Sequence, residues 1–364
     1  SILWAEECPA LRLVNLGFTR DPLYTSAGIV TENRKGKVSV EVFPDCPSWD
    51  HMGAYCANRF TPEGSRLVGE SVTYGNGAGS HWRELGDHRL EIDSPGIAAK
   101  VRKGEQLSWH QGAQTDFQIY IAACDDLRME NLRVFNSNGF CLLTENCRNL
   151  AARSVRFQPK GSNCFTGPRD AWKIFKCGGV LEIDSLCVHG VRMDGQNIHS
   201  NWMFFVRKLG PKEALFFCRY TFAELIPGSW FEFYNGTTIQ TTRILQPSWE
   251  GKATYEHPGH LYRIGFDQKM PDFLNANTPC AARCWEPESY SCKNSEFVNI
   301  AGAGHLVRCD HVSLRNNCYR NTMNPGVLLG AEWPTHRECG HTESVVIREC
   351  EFINCGFFPR YGTS

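Results

Sequence analysis

The chain has 364 residues, and 38 Lys plus Arg against 39 Asp plus Glu give a net charge of -1, which excludes the basic face of an ordinary nucleic-acid binder. Hydrophobic residues make up 42% and aromatic ones 12%, enough for a substantial core, yet no stretch reaches the roughly 20 apolar residues of a membrane helix. The length exceeds one ordinary domain and fits two or three units or one elongated repeat fold. The opening Ser1-Ile-Leu-Trp-Ala-Glu-Glu7 has neither a basic n-region nor a cleavage site, so no signal peptide is expected within it.

Residues 1–26 are read as the first segment of a repeat fold. From 27 to 107 the texture changes to short alternating runs, as in Gly28-Ile-Val-Thr-Glu32 and Lys37-Val-Ser-Val-Glu-Val-Phe43, with a loop signal at Gly75, Gly77 and Gly79. This segment is predicted to be a small antiparallel barrel. Over 108–201 a short strand recurs, in Asn131-Leu-Arg-Val-Phe135, Ser154-Val-Arg-Phe157 and Ser185-Leu-Cys-Val188. It returns within 276–364 in Asn294-Ser-Glu-Phe297, Asn317-Cys-Tyr319 and Glu349-Cys-Glu-Phe352.

With Val134, Phe157, Val188, Phe297, Tyr319 and Phe352 taken as equivalent, the spacings are 23, 31, 109, 22 and 33 residues. A period of 22–23 with short strands and Asn/Gly corners suits one coil of a β-helix. The 109-residue gap holds 202–275, a second alternating segment with the hairpin signal Asn235-Gly236, predicted as a second barrel. The predicted fold is therefore all-β: a right-handed parallel β-helix with two inserted small antiparallel β-barrel domains. The 18 cysteines contain no CxxC pair, and several recur at repeat spacing. They are expected as small buried apolar groups, and neither zinc, another metal nor a cofactor is expected.

The densest polar cluster is His189-Gly-Val-Arg-Met-Asp194-Gly-Gln-Asn197-Ile-His199-Ser200. Asp, Asn and His at these steps supply the planar donors and acceptors that sugar hydroxyls require, although a solvated loop leading into an insertion would carry the same residues. Asp170 precedes Asp194 by 24 residues, one coil, so the two are expected side by side. Two such carboxylates meet the minimum demand of glycoside hydrolysis. Glu338 lies in a second long loop with Trp333 and His336. The alternative for each acid is a surface ion pair with Arg169, Arg192 or Arg337. Trp172, Trp202 and Trp333 would offer flat faces to a sugar ring, or simply fill the core.

These residues resemble the α-1,3-galactosidases of glycoside hydrolase family 110, which remove terminal galactose from blood-group-B-type and linear α-galactosyl glycans. The resemblance rests on Arg169-Asp170-Ala171-Trp172-Lys-Ile-Phe175, Cys177-Gly-Gly179 and Met193-Asp194-Gly-Gln-Asn197-Ile-His199-Ser200. It continues in Pro227-Gly-Ser-Trp-Phe-Glu-Phe-Tyr-Asn-Gly236 and in Gly326–Gly330 through Glu338-Cys-Gly340. It implies a β-helix with two inserted barrels, an inverting metal-independent mechanism, and catalytic carboxylates among Asp170, Asp194 and Glu338. From their own positions in the sequence, Asn197, His199, Arg169, His336 and the three tryptophans are the candidate sugar-binding set. Met193 stands where that family has the first of two aspartates, and Ser200 where it has glycine.

The expected partner is a glycan with terminal galactose, with no nucleic acid and no membrane span; a homo-oligomer is left open, and the expected location is secreted or periplasmic. Two alternatives remain at this point: an endo-acting polysaccharide hydrolase or lyase on the same scaffold, and a non-catalytic glycan-binding β-helix.

Overall fold

The computed structural model describes residues 1–74, 81–111, 116–276, 278–332 and 336–358. Among the described residues the chain is nearly all β, with one short helix at Pro95–Ala98 and a single 3-10 turn at Arg283–Trp285. No helix among the described residues is long and apolar enough to cross a membrane. The Gly75, Gly77 and Gly79 cluster lies outside the described residues.

Each repeat opens on a left-handed bend. Asn131, Ser154, Ser185, Asn294 and Glu349 have φ between 52° and 59°, a setting in which Asn is among the least penalised of the non-glycine residues. The bends also stack. Asn131 donates its side-chain amide to Asn15 at 2.8 Å, and Asn316 donates to Asn294 at 2.9 Å. In the fifth repeat the bend falls on Asn316, one residue ahead of the expected Asn317.

The strands fall into two parallel sheets that the chain visits in turn. The first runs Leu3–Glu6, Phe117–Ala122, Phe140–Glu145, Trp172–Phe175, Gln196–Asn201, His305–Val307 and Val327–Leu329. An eighth short strand, Glu338–Cys339, pairs antiparallel with Gln196–Asn201. The second sheet has 11 strands and begins with Leu11–Thr19, Leu127–Phe135 and Arg148–Phe157. Val134, Phe157, Val188, Phe297, Tyr319 and Phe352 stand opposite one another in one continuous ladder of this sheet, preceded by Phe18. The side chains that face inward from the two sheets share one core.

Two antiparallel units interrupt these sheets. Six strands within 203–282 form a closed barrel around Phe216, Phe231, Phe233 and Phe266. It closes through Pro279–Ala282, past the boundary at 275 expected from texture, because that strand pairs with both Met203–Gly210 and Trp230–Tyr234. The first insertion differs from its expected barrel. It is a seven-stranded antiparallel sheet whose end strands, Leu67–Tyr74 and His81–Gly86, do not pair with each other among the described residues. Its strands bury Val38, Val40, Leu90, Ile92 and Trp109 in a core of their own, which stabilises the sheet without closure.

None of the 18 cysteines forms a disulfide. Cys8, Cys124, Cys147 and Cys177 each lie two residues past a strand of the first sheet, which makes them a row. Cys187 and Cys318 share a ladder with Glu296 between them, and Glu351 comes next.

Candidate active site

Alternation along the first sheet decides which side chains meet solvent. Leu142, Trp172, Gln196 and His305 are in register and are all buried. The next residue on each strand points the other way. Trp4, Tyr120, Leu143, Lys173, Asn197, Leu306 and Leu328 form the matching outer ladder, and all seven line a cavity of about 660 Å³.

At this cavity the segments leading into two neighbouring strands bring their carboxylates together. Trp172 is in register with Gln196, so Asp170 and Asp194, each two residues ahead of its strand, become neighbours. The Asp194 N–H donates to Asp170 Oδ1 at 3.2 Å, and the next coil contributes the Ala303 N–H, which donates to Asp194 Oδ1 at 2.8 Å. Gly302 is required here, since a Cβ on it would lie 2.5 Å from Asp194 Oδ1. Burial pushes both acids up. For Asp194 the adjacent Asp170 charge adds to burial, and together they raise it to about 7. Asp170 is also raised by burial, against the opposing charges of Lys173 and Arg169.

Glu338 reaches the cavity from the other side. Its two-residue strand pairs Glu338 with Asn201 and Cys339 with Ser200. The preceding loop is held by the Glu332 carboxylate, which accepts the N–H groups of His336 at 2.7 Å and Arg337 at 2.9 Å. Burial alone would raise Glu338, but His199, the Arg308 guanidinium at 2.8 Å and Lys173 outweigh it and bring the carboxyl down to about 2. His199 is itself held neutral, at about 3, chiefly by burial. With His199 neutral, the attraction that keeps Glu338 ionised comes from the Arg308 and Lys173 cations.

Neutral His199 has a definite tautomer. Its Nδ1 lies 2.7 Å from the Ser200 carbonyl and must donate to it. That leaves Nε2 as a buried acceptor without a hydrogen-bond partner, 3.4 Å from Glu338 Oε1. Asn197 Oδ1 is likewise buried without a partner. Buried acceptors that lack donors are costly, and hydroxyl groups of a ligand in the cavity would relieve them.

Asp170, Asp194, Glu338, Asn197, His199, Arg169 and His336 all line this one cavity. Arg169 also places its guanidinium 4.6 Å over the Phe140 ring. The tryptophans behave differently. Trp172 is fully buried, with its indole N–H on Thr144 Oγ1 at 3.2 Å, because its position on the strand faces the core. Trp202 packs with Ala281 and Cys339 in a small buried cluster and does not line the cavity. Trp333 lies outside the described residues. The surface-pair alternative for the acids also fails for two of its arginines: Arg192 reaches Ser108 and stacks on Phe165, and Arg337 pairs with Glu256.

Sequence reasoning missed Lys173, Arg308, Glu145, Trp4, Tyr120 and Tyr220, which also line the cavity. Strand parity counted from Asn197 would have found Lys173 and Tyr120. Nothing local marks Arg308. Among the described residues, two groups of side chains with metal-ligand chemistry, Cys187/His189/Glu296 and Glu286/Asp310/His341, stand away from the cavity lining. In the second, the Arg283 guanidinium already bonds both Glu286 and Asp310.

Fold and site together define a nearly all-β protein built on two parallel sheets, with three carboxylates, Asp170, Asp194 and Glu338, gathered at one cavity. No family model matches the chain. The chain is similar to the Alpha-1,3-galactosidase A of Bacteroides fragilis, 20% identical over 302 residues, covering 79% of this chain and 49% of the relative. It is similar to the Alpha-1,3-galactosidase B of Phocaeicola vulgatus, 22% identical over 251 residues, 65% of this chain and 41% of the relative. A third relative, the Alpha-1,3-galactosidase B of Bacteroides thetaiotaomicron, is 21% identical over 285 residues, 74% of this chain and 43% of the relative. The chain thus spans about half the length of the curated relatives it matches, 49% at most among these three.

Proposed function

We propose that this chain carries the catalytic site of a galactosidase-type glycoside hydrolase, exo-acting and inverting, that removes terminal α-1,3-linked galactose from glycans as the family 110 enzymes do. The observation that carries the reading is the divergence of neighbouring carboxylates in one cavity, Asp194 raised to about 7 and Glu338 lowered to about 2. Environments that push two acids apart mark an acid and a base. Protonated Asp194 gives its proton to the glycosidic oxygen as the bond from that oxygen to C1 breaks. Ionised Glu338 takes a proton from the water whose oxygen bonds to C1 on the opposite face. Asp170 holds the Asp194 main chain and keeps its proton affinity high; Asn197, His199 and Arg169 hold sugar hydroxyls. The relatives' names support the substrate class, and the two parallel sheets support winding as a right-handed β-helix interrupted by the units at 27–107 and 202–275.

The test is incubation with an α-1,3-linked digalactoside, following the released sugar by NMR. Free galactose appearing first as the β anomer is expected. Release first as the α anomer would overturn the inverting mechanism, and no release at all would overturn the hydrolase. Met193, at the cavity beside Asp194, favours one second reading, a glycan-binding protein without turnover. Tight binding of the digalactoside with no cleavage would select it.

A further inference from the structure

The second parallel sheet carries a cluster that the cavity does not use. Val188 packs into the core shared by the two sheets, so its strand neighbours Cys187 and His189 both point outward. On the adjacent strand Glu296 stands directly opposite Cys187 and faces outward too, since the next residue, Phe297, is in the core. His189 Nε2 lies 3.2 Å from Glu296 Oε2. One ligand atom from each of Cys187, His189 and Glu296 lies within 4.8 Å of the other two.

The set matches zinc in chemistry, geometry and charge. A thiol, an imidazole and a carboxylate are the three side-chain types that zinc takes in tetrahedral sites. With bonds of about 2.0–2.3 Å, neighbouring ligand atoms in such a site stand about 3.3–3.6 Å apart. The imidazole and carboxylate are already at 3.2 Å, and a small side-chain rotation brings in the thiol. Once the thiol is ionised, two negative ligands balance a divalent cation. The side chains of His189 and Glu296 are 39% and 43% exposed, which leaves a fourth position open to water. Among the described residues no lysine or arginine pairs with Glu296, whereas Arg283 already fills the Glu286/Asp310/His341 cluster.

We propose that Cys187, His189 and Glu296 form a zinc site, with water as fourth ligand, that clips together the two strands flanking the barrel insertion. The Cys187 sulfur, a His189 ring nitrogen and a Glu296 carboxylate oxygen bond the ion, and the thiol proton passes to solvent. Cys187–Val191 precedes the barrel and Glu296–Ile300 follows it, so the metal joins residues 107 positions apart in the chain. A metal clip across a long loop removes much freedom from the unfolded chain. No CxxC pair announces this set, because Glu296 joins it from beyond the insertion. The site lies away from the cavity, and the inference does not depend on the hydrolase reading.

The experiment takes the full chain, reduced and stripped of metal by a chelator, and titrates it with cobalt(II), whose bond to a thiolate gives a charge-transfer band. One equivalent of cobalt is expected to produce the band and zinc to bleach it. Zinc at about a hundredfold its dissociation constant should raise Tm by roughly 2–5 °C. Cys187→Ser should remove the band. Both Cys187→Ser and His189→Asn should weaken zinc binding at least about tenfold, since loss of an outer-shell partner alone costs about 10–100-fold, and both should abolish the rise in Tm. Cys318→Ser, on the far side of Glu296 in the same ladder, should keep the band and the rise. Zinc-edge X-ray absorption of the unaltered chain, which needs no variant to fold, should show one sulfur among nitrogen and oxygen neighbours. A cobalt band that survives Cys187→Ser, a zinc shell with no sulfur or with several, or no zinc binding overturns the site. Binding through one sulfur without a rise in Tm overturns the clip.

Discussion

The backbone N–H of Asp194 donates to Oδ1 of Asp170 at 3.2 Å, so one acid is fixed to the main chain that carries the other. The bond favours ionised Asp170, and ionised Asp170 in turn makes Asp194 harder to ionise. A single register, Trp172 opposite Gln196, thus sets both the distance between the acids and the order in which they lose protons.

Asp194→Asn is expected to lower kcat on the digalactoside by about 10²–10⁴-fold, the usual contribution of a general acid. Its effect on stability has the opposite sign. The folded state raises Asp194 to about 7, so its stability contribution is complete below the ordinary carboxylate range and is lost as pH rises through 7. The variant has no proton to lose. Its Tm should exceed that of the unaltered chain at pH 8, and the difference should close toward pH 4. A lower Tm at pH 8 would contradict the assignment of a strained, raised acid.

The pH dependence of kcat/KM should have an alkaline limb near 7, from the coupled Asp194 and Asp170 pair, and an acid limb near 2 from Glu338. Arg308→Gln removes the cation at 2.8 Å from Glu338. The acid limb should then move up in pH. Breaking a buried pair of this kind also costs about 3–5 kcal/mol of stability, read by denaturant unfolding. An acid limb that stays in place would mean Glu338 is not the ionised partner.

Gly302→Ala tests the close approach of the Gly302 backbone to Asp194. The added Cβ would lie 2.5 Å from Asp194 Oδ1 and 2.6 Å from the Met193 carbonyl oxygen. Overpacking costs about 1–3 kcal/mol. Asp194 displaced from the Ala303 N–H also loses a bond that favours its ionised form. The alkaline limb should rise while kcat falls; a profile identical to that of the unaltered chain would show that the backbone yields without moving the acid.

His341 ties the barrel to the strand of Glu338. Burial opposes its charge, but the Glu232 and Glu286 carboxylates, at 3.0 and 3.3 Å, outweigh burial and hold it up at about 9. The stability it supplies is fully present below its ordinary value near 6.5 and is lost as pH rises through 9. Relative to His341→Asn, the unaltered chain should be more stable at pH 7, and this advantage should shrink between pH 8 and 10. A constant difference in Tm across that range would show that His341 is not charged in the folded state.

The sequence by itself determined what repeats. The left-handed corner at Asn131, Ser154, Ser185 and Asn294 is a local backbone preference, and the one-coil separation of Asp170 and Asp194 follows from the period, so both were legible in the chain. Strand parity was legible only in part. Trp172 and Lys173 are adjacent in sequence, and a one-residue difference in register sends one to the core and the other to the cavity. Only the tertiary structure decided that Arg308 and His199 would meet Glu338, because these residues come from segments joined across the second insertion, where no local spacing relates them. It alone also placed Glu296 opposite Cys187. A glutamate on a strand reads in sequence as any other, and its neighbours exist only once the strands on either side of the insertion are in register.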